Sequence, residues 1–242
     1  MSFSIGSRAV AVAEVRESDS GVVGKRRTSM AARLLGFEHS LEAPVSVATR
    51  VGLLALIVVM ALSYFAPLWR IGMIAPQYPA GLHVDIYSYK VVGGNEGHDV
   101  DEINELNHYI GMEKIEKANL ADLDWMPFAL GLLMLLTLRV AFIGHGRSLV
   151  DLTVLTCYMM AFAFGRYVYR LYIFGHNLDP KAAVHIEPFM PVVFGTKQVA
   201  NFTVSSYPQT GAMLIAAFVT GLVVLTLWHI WSNFPSRSSP AN

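Results

Sequence analysis

Cysteine is almost absent from this sequence. The one cysteine, Cys157, lies inside a long apolar segment, so the chain can form no intramolecular disulfide and offers no cysteine cluster for a metal. The sequence also lacks GxSxG, P-loop, HExxH, CxxCH and dinucleotide-binding patterns. A bis-histidine haem needs axial ligands on facing helices, and His229 is the one histidine within an apolar segment. We therefore predict a protein that is not an enzyme and that carries no haem.

An excess of charge of either sign is also missing. The chain has 18 lysine and arginine residues against 18 aspartate and glutamate residues, which gives no support to nucleic-acid binding. Apolar residues make up 54% of the sequence, and they are concentrated in four long segments: 51–69, 125–143, 149–172 and 211–231. Each segment is long enough to cross a hydrocarbon core of about 30 Å. The sequence therefore predicts four transmembrane helices.

Lysine and arginine are unevenly distributed about these helices. Seven precede the first span, whereas the loop 71–124 has three lysines against ten acidic residues. The positive-inside rule then places both termini in the cytoplasm, with the first span as an uncleaved signal-anchor. We predict a basic, mobile cytoplasmic tail at 1–49 and a membrane domain at 50–232 with outer loops 71–124 and 173–209. A short cytoplasmic tail follows at 233–242.

The first outer loop has two patterns in succession. "LHVDIYSYKVV" alternates apolar and polar residues and predicts a strand, and the glycine-rich "GGNEGHD" predicts a turn. From Val100 the period becomes helical, with Ile103, Leu106 and Ile110 on one face. Gly111 is expected to end this helix.

The second outer loop is long, contains four prolines and is rich in apolar residues, which predicts ordered packing. The predicted fold class is an all-α membrane protein of four transmembrane helices with a small α/β extracytoplasmic loop domain.

Imidazole and thioether groups without cysteine suit copper. The candidate copper ligands on the outer loops are His108, Met112, His176, His185 and Met190. Their spacing follows no metal-binding motif, so the alternative is a set of ordinary interfacial or helix-terminal histidines. If Gly111 ends the helix, His108 and Met112 do not share a helical face.

A second candidate site lies at the outer end of the third span. Arg166 and Arg170 are four residues apart in the tyrosine-rich stretch "GRYVYRLY". With Tyr167, and with Tyr109 from the first loop, they could contact a quinol headgroup, a lipid phosphate or a carboxylate of a partner. The alternative is an aromatic and cationic belt that fixes the depth of the helix.

Several motifs taken together carry a resemblance: "PLWRI", "APQYPAGL", "LNHYIGM" and "FMPVVFGTKQVANFTVSSYP". With the four-span layout, they resemble a family of bacterial membrane proteins that are often encoded beside nitrous oxide reductase and its copper-delivery genes. The resemblance covers residues 66–231. It implies an accessory role in the maturation of a periplasmic copper enzyme, or in its electron supply, and a location in the bacterial inner membrane.

The leading functional hypothesis is thus an accessory membrane protein for a periplasmic copper-dependent respiratory enzyme, in copper handling or docking. The alternative is a non-catalytic structural subunit of a large respiratory or photosynthetic membrane complex. A third hypothesis is a quinol-interacting electron-transfer protein. The expected partners are membrane lipids and other membrane or periplasmic proteins.

Overall fold

The computed structural model describes residues 36–199 and 201–234. Besides the helical residues 36–42 and three short 3-10 turns, this part of the chain contains five α-helices and one sheet of five strands. The helices are α1 (Val47–Leu62), α2 (His98–Tyr109), α3 (Asp122–Ile143), α4 (Gly146–His176) and α5 (Thr210–Ser232). The strands are β1 (Trp69–Ala75), β2 (Tyr78–Ile86), β3 (Val91–Gly93), β4 (Gly195–Val199) and β5 (Phe202–Pro208).

Four of the helices are long and apolar enough to cross a membrane: α1 with the turn that follows it, α3, α4 and α5. This confirms the prediction of four helices that have the length and composition of membrane spans. Each has apolar side chains nearly all round, and only a minority of these are buried within the protein. Such helices suit a lipid environment, where an exposed apolar surface carries no penalty.

The bundle core is small and aliphatic. Leu53, Met60, Leu149, Phe218 and Leu222 have no exposed surface and form its centre. The hydroxyls of Thr153 and Thr226 hydrogen bond each other across α4 and α5, with 2.6 Å between the oxygens. Hydroxyl pairs of this kind join helices where no water competes for the bond.

The sheet is antiparallel throughout, in the order β3-β2-β1-β5-β4. Its central strand β1 begins at Trp69, which pairs with Ile86 of β2 on one side and with Pro208 of β5 on the other. The strand predicted over residues 82–92 is confirmed in part: the structure divides this stretch into the end of β2 and β3, which pair with each other. Strands β1, β4 and β5 were not predicted, and Trp69 was wrongly placed in the first span. The sheet therefore dominates the small domain outside the bundle.

Short connections attach the sheet directly to two of the spans. α1 and a single 3-10 turn end at Phe65, and β1 begins four residues later. The Leu68 amide donates to the Ile86 carbonyl, and the Gly211 amide donates to the Pro67 carbonyl. The two central strands are thus continuations of α1 and α5, which fixes the sheet on one end of the bundle. We call this the sheet end and the opposite end the base.

The two faces of the sheet differ in polarity. Ile71, Met73 and Val84 lie on the face that contacts α2 and the bundle, whereas Arg70 and Asp85 lie on the other face. The Nε and Nη2 groups of Arg70 donate to the two carboxylate oxygens of Asp85, at 2.6 and 2.7 Å. This hydrogen-bonded pairing raises the pKa of the Arg70 guanidinium above its ordinary value. Because apolar and charged residues alternate along β1 and β2, the apolar face of the sheet is the one that covers the interior of the domain.

Helix α2 packs on the apolar face through the predicted stripe, with Ile103 buried against Leu82 and Val84 of β2. The phenol of Tyr78 hydrogen bonds the Glu102 carboxylate, which raises the pKa of Tyr78. The helix begins two residues before the predicted start at Val100. It ends at Tyr109, and Gly111 follows with a φ of +77°, so the predicted end before Met112 is confirmed.

Part of the predicted cytoplasmic tail is packed against the base. Residues 36–42 are helical, and the buried Ser40 donates its hydroxyl to the Ile230 carbonyl. The Ser40 carbonyl lies 3.2 Å from the ring nitrogen Nε2 of His229, which is 1% exposed. Residues 1–35 of the predicted mobile tail and residues 235–242 lie outside the described residues.

Candidate functional site

An apolar cavity of about 210 Å³ lies where the sheet, α2 and the spans α3 and α4 meet. We call it the junction cavity. Its walls come from β1, β2, β5, α2, α3, α4 and the two outer loops. The lining includes Ile71, Met73, Val84, Ile110, Met112, Asp122, Trp125, Met126, Ala163, Arg166, Tyr167, Arg170, Phe189, Val192 and Val204. Because Trp125, Met126 and Ala163 belong to the spans, the cavity joins the small domain to the bundle.

Three charged side chains line this apolar space, and they form one cluster. The Nε of Arg166 lies 2.9 Å from Oδ1 of Asp122, and the Nε of Arg170 lies 4.0 Å from Oδ2 of the same carboxylate. The indole of Trp125 donates a third contact to Oδ1, at 2.9 Å. The side chains of Asp122, Arg166 and Arg170 are 15%, 33% and 24% exposed. A paired but only partly solvated charge cluster thus lines the cavity.

The local sequence explains how the cluster forms. Arg166 and Arg170 are one helical turn apart, so both guanidinium groups project from one face of α4. Asp122 is the first residue of α3, where a carboxylate interacts favourably with the helix dipole. Trp125 follows one turn later, and its ring contacts Phe162 of α4 at 5.4 Å between centroids. Ion pairs and a ring contact therefore join α3 to α4 at the sheet end of the bundle.

Tyr167 was predicted to contact a partner, a lipid or a quinol, and in the structure its side chain contacts other residues of the protein. Its hydroxyl lies 3.1 Å from Oγ of Ser206 in β5, and its ring lies 5.0 Å from the ring of Trp69. The indole of Trp69 donates to the same Ser206 oxygen at 2.7 Å. These contacts join α4 to the two central strands and hold one wall of the cavity in place.

The apolar stretch of the second outer loop packs over the cavity, in agreement with the prediction that this loop is ordered. We call residues 177–194 the docking segment. The Phe189 amide donates to the Gly175 carbonyl of α4 at 3.0 Å. The Val184 amide donates to the Tyr109 carbonyl at 2.9 Å, and the Asp179 amide donates to the Gly111 carbonyl at 2.8 Å. The segment is thereby attached both to α4 and to the end of α2.

The predicted copper ligands occupy different surroundings. His108 is exposed on α2, whereas Met112 lines the junction cavity and Met190 is half-buried. The ring of His176 stacks on Tyr172 at 3.9 Å between centroids, and the exposed His185 has its Nε2 3.0 Å from the Pro180 carbonyl. In residues 36–199 and 201–234, no group of three or more histidine, cysteine, aspartate or glutamate side chains is placed to hold a metal ion.

Sequence reasoning found Arg166, Arg170 and Tyr167 but missed the groups that they contact. Asp122 was counted only as one of ten acidic residues in the first loop, and Ser206 was part of an unassigned stretch. One signal could have identified Asp122: it is an acidic residue at the start of an apolar helix whose neighbouring span carries two arginines. Nothing local indicated Ser206, because its contacts depend on strand pairing across the whole chain.

Comparison with known proteins adds no family to these observations, since no protein-family model and no curated protein matches the sequence. The resemblance to the four-span family of nitrous oxide reductase gene clusters accordingly remains a prediction. The function is therefore inferred from the residues that line the site. An apolar cavity with a charged cluster on one wall has the chemistry to take a molecule with a hydrocarbon part and a polar head.

Proposed function

We propose that this protein is a multi-pass membrane protein that binds an amphipathic membrane lipid or quinol in the junction cavity. The observation that carries the proposal is the combination of an apolar lining with the Asp122, Arg166 and Arg170 cluster. Two of the contributing helices are candidate spans, so the cavity adjoins the part of the protein that suits a lipid environment. The predicted quinol or lipid contact at Arg166 and Arg170 is retained in this proposal.

The size of the cavity limits what it takes. Pockets for drug-sized ligands have volumes of about 300–1,000 Å³, so 210 Å³ accommodates one ring or part of one hydrocarbon chain rather than a whole lipid. Filling 210 Å³ of apolar space is worth on the order of 5 kcal/mol at ~24 cal/mol per Å³. That energy corresponds to a dissociation constant of roughly 0.2 mM, which suffices for a ligand concentrated in a bilayer.

Filling the cavity with a side chain should displace the ligand. The Ala163→Trp substitution places an indole in the junction cavity, because Ala163 is part of its lining. We expect at least a tenfold loss of the lipid or quinol that co-purifies with the protein in mild detergent, measured by native mass spectrometry. The matched control is Ala161→Trp on the exposed side of α4. Equal occupancy in both variants, or an empty wild-type protein, would contradict the proposal.

A second candidate function is copper handling or docking for a periplasmic copper-dependent respiratory enzyme. The observation that favours it is the pairing of Tyr109 and Gly111 with Val184 and Asp179. Through these bonds the docking segment, which carries His185, lies against the end of the "LNHYIGM" motif, which carries His108. The predicted ligands of the two loops therefore belong to one region of the domain.

Copper binding provides the test of this second function. If the region holds copper, the purified protein should bind one Cu(I) ion in competition with a chelator. The His108→Ala and His185→Ala substitutions should each weaken binding at least tenfold, because each removes an imidazole ligand. His145→Ala, at the exposed turn of the base, should leave binding unchanged. A wild-type protein that takes up no copper would refute this function. A stable stoichiometric complex with other membrane subunits in the same preparation would instead favour a structural subunit.

A further inference from the structure

We propose that the junction cavity prefers an amphiphile with an anionic headgroup, a carboxylate or a phosphate, over a neutral lipid or quinol. This inference rests on the proposed function, since it requires that the cavity bind an amphiphile at all. It adds the charge of the headgroup and names Arg170 as the residue that selects it.

The charges along the cavity wall do not cancel. Of the residues that line it, Asp122 carries one negative charge, and Arg166 and Arg170 carry one positive charge each. An arginine side chain stays protonated in proteins at any ordinary pH. The cavity lining therefore has one positive charge in excess, which a neutral headgroup leaves without compensation.

The geometry assigns that excess charge to Arg170. Arg166 makes a charged hydrogen bond with Asp122 at 2.9 Å, whereas Arg170 lies 4.0 Å from the same carboxylate, beyond hydrogen-bond distance. Within residues 36–199 and 201–234, no side chain or carbonyl accepts a hydrogen bond from Arg170. Its side chain is nevertheless 24% exposed, so most of it has been removed from water.

A partly desolvated guanidinium with open donors binds an anion better than a neutral group. Its N–H groups form a planar fork that matches two oxygens of a carboxylate or phosphate. A quinol hydroxyl or an ester carbonyl offers one uncharged acceptor and makes a weaker bond. The apolar residues next to the cluster then contact the hydrocarbon part of the same molecule, so head and chain are recognised together.

The test compares headgroups on the full-length protein. Binding of dioleoyl phosphatidylglycerol and of oleate is compared with binding of dioleoylglycerol and of a neutral short-chain quinone, using native mass spectrometry of protein in mild detergent. We expect both anionic lipids to bind at least tenfold more tightly than the neutral ones. Inorganic phosphate at millimolar concentration should displace neither lipid, because it has no chain to occupy the apolar space.

Arg170 variants show whether this residue makes the selection. Arg170→Gln should bring anionic and neutral lipids to within about threefold of each other, because the anionic lipids lose their charged partner and bind more weakly. Arg170→Lys retains the charge and should retain the anionic preference, which distinguishes charge from loss of folding. Arg147→Gln, at the exposed base end of the same helix, should behave as the wild type.

Each negative result of these binding experiments would overturn a different claim. Equal binding of anionic and neutral lipids by the wild type would overturn the headgroup inference and leave the amphiphile proposal standing. Failure to bind any of the four amphiphiles would overturn the proposed function itself. Displacement of the lipids by inorganic phosphate alone would identify a free-anion site and overturn the inference. A preference that survives Arg170→Gln would overturn the assignment to Arg170.

Discussion

The Gly175→Val substitution is expected to detach the docking segment from α4. A Cβ atom at position 175 would lie 2.0 Å from the Phe189 carbonyl oxygen and 2.7 Å from Cδ of Pro191. Both contacts are too close to be absorbed by side-chain movement, because one is to backbone and the other is to a proline ring. We expect a loss of about 3 kcal/mol, the upper range for overpacking of a buried site, or release of the segment.

Hydrogen exchange distinguishes local release from general destabilisation. Amides between residues 177 and 192 should lose protection in the Gly175→Val variant, while those of α1 and α5 keep it. The matched control is Gly165→Val on the same helix, where a Cβ meets no atom within 4 Å. The control should change stability by less than about 1 kcal/mol, the scale of helix propensity. Unchanged exchange in the docking segment of Gly175→Val would refute the close packing at this position.

The Asp122→Asn substitution is expected to destabilise the sheet end of the bundle by about 2 kcal/mol. Removing one member of a buried ion pair costs about 3–5 kcal/mol, and the partial exposure of these side chains reduces that cost. Here two arginines lose one shared carboxylate. Thermal unfolding in detergent measures the loss. The exposed pair Lys117 and Asp124, 3.9 Å apart, provides the contrast. Asp124→Asn should cost less than about 1 kcal/mol, as surface ion pairs do.

A double-mutant cycle tests whether Asp122 and Arg166 stabilise the protein through their direct contact. Combining Asp122→Asn with Arg166→Gln should cost less than the sum of the single substitutions, with a coupling energy of about 1–2 kcal/mol, as expected for residues in direct contact. Additive effects would mean that the 2.9 Å contact contributes nothing to stability. The Trp125 hydrogen bond can persist in Asp122→Asn, since an amide oxygen also accepts from an indole.

Features that depend on local pattern could be predicted from the sequence. The four spans follow from long, predominantly apolar segments, part of β2 follows from alternation, and the end of α2 follows from Gly111. Each of these is set by residues within one element. A glycine with positive φ, for example, ends a helix whatever that helix packs against.

Features that depend on distant pairing could not be predicted in the same way. Strand β1 adjoins an apolar span, so Trp69 was read as part of that span. Its pairing partner β5 lies more than a hundred residues later, and one sequence carries no direct sign of this register. The contact of Asp122 with Arg166 likewise depends on how α3 and α4 lie together. Hydropathy places a helix in a membrane but does not fix which faces of two helices meet.

The attachment of β1 and β5 to the spans also has a consequence for biosynthesis. β1 follows α1 at the start of the described chain, but β5 directly precedes α5, the last span. During synthesis, β1 is therefore complete long before the strand that pairs with its second edge has been made. That edge remains open until the last span is inserted, and an open strand edge is a site of wrong pairing. The small domain should thus complete its fold only together with the last span, and ribosomes stalled before residue 202 should carry α1, α3 and α4 beneath an unfinished, protease-sensitive sheet.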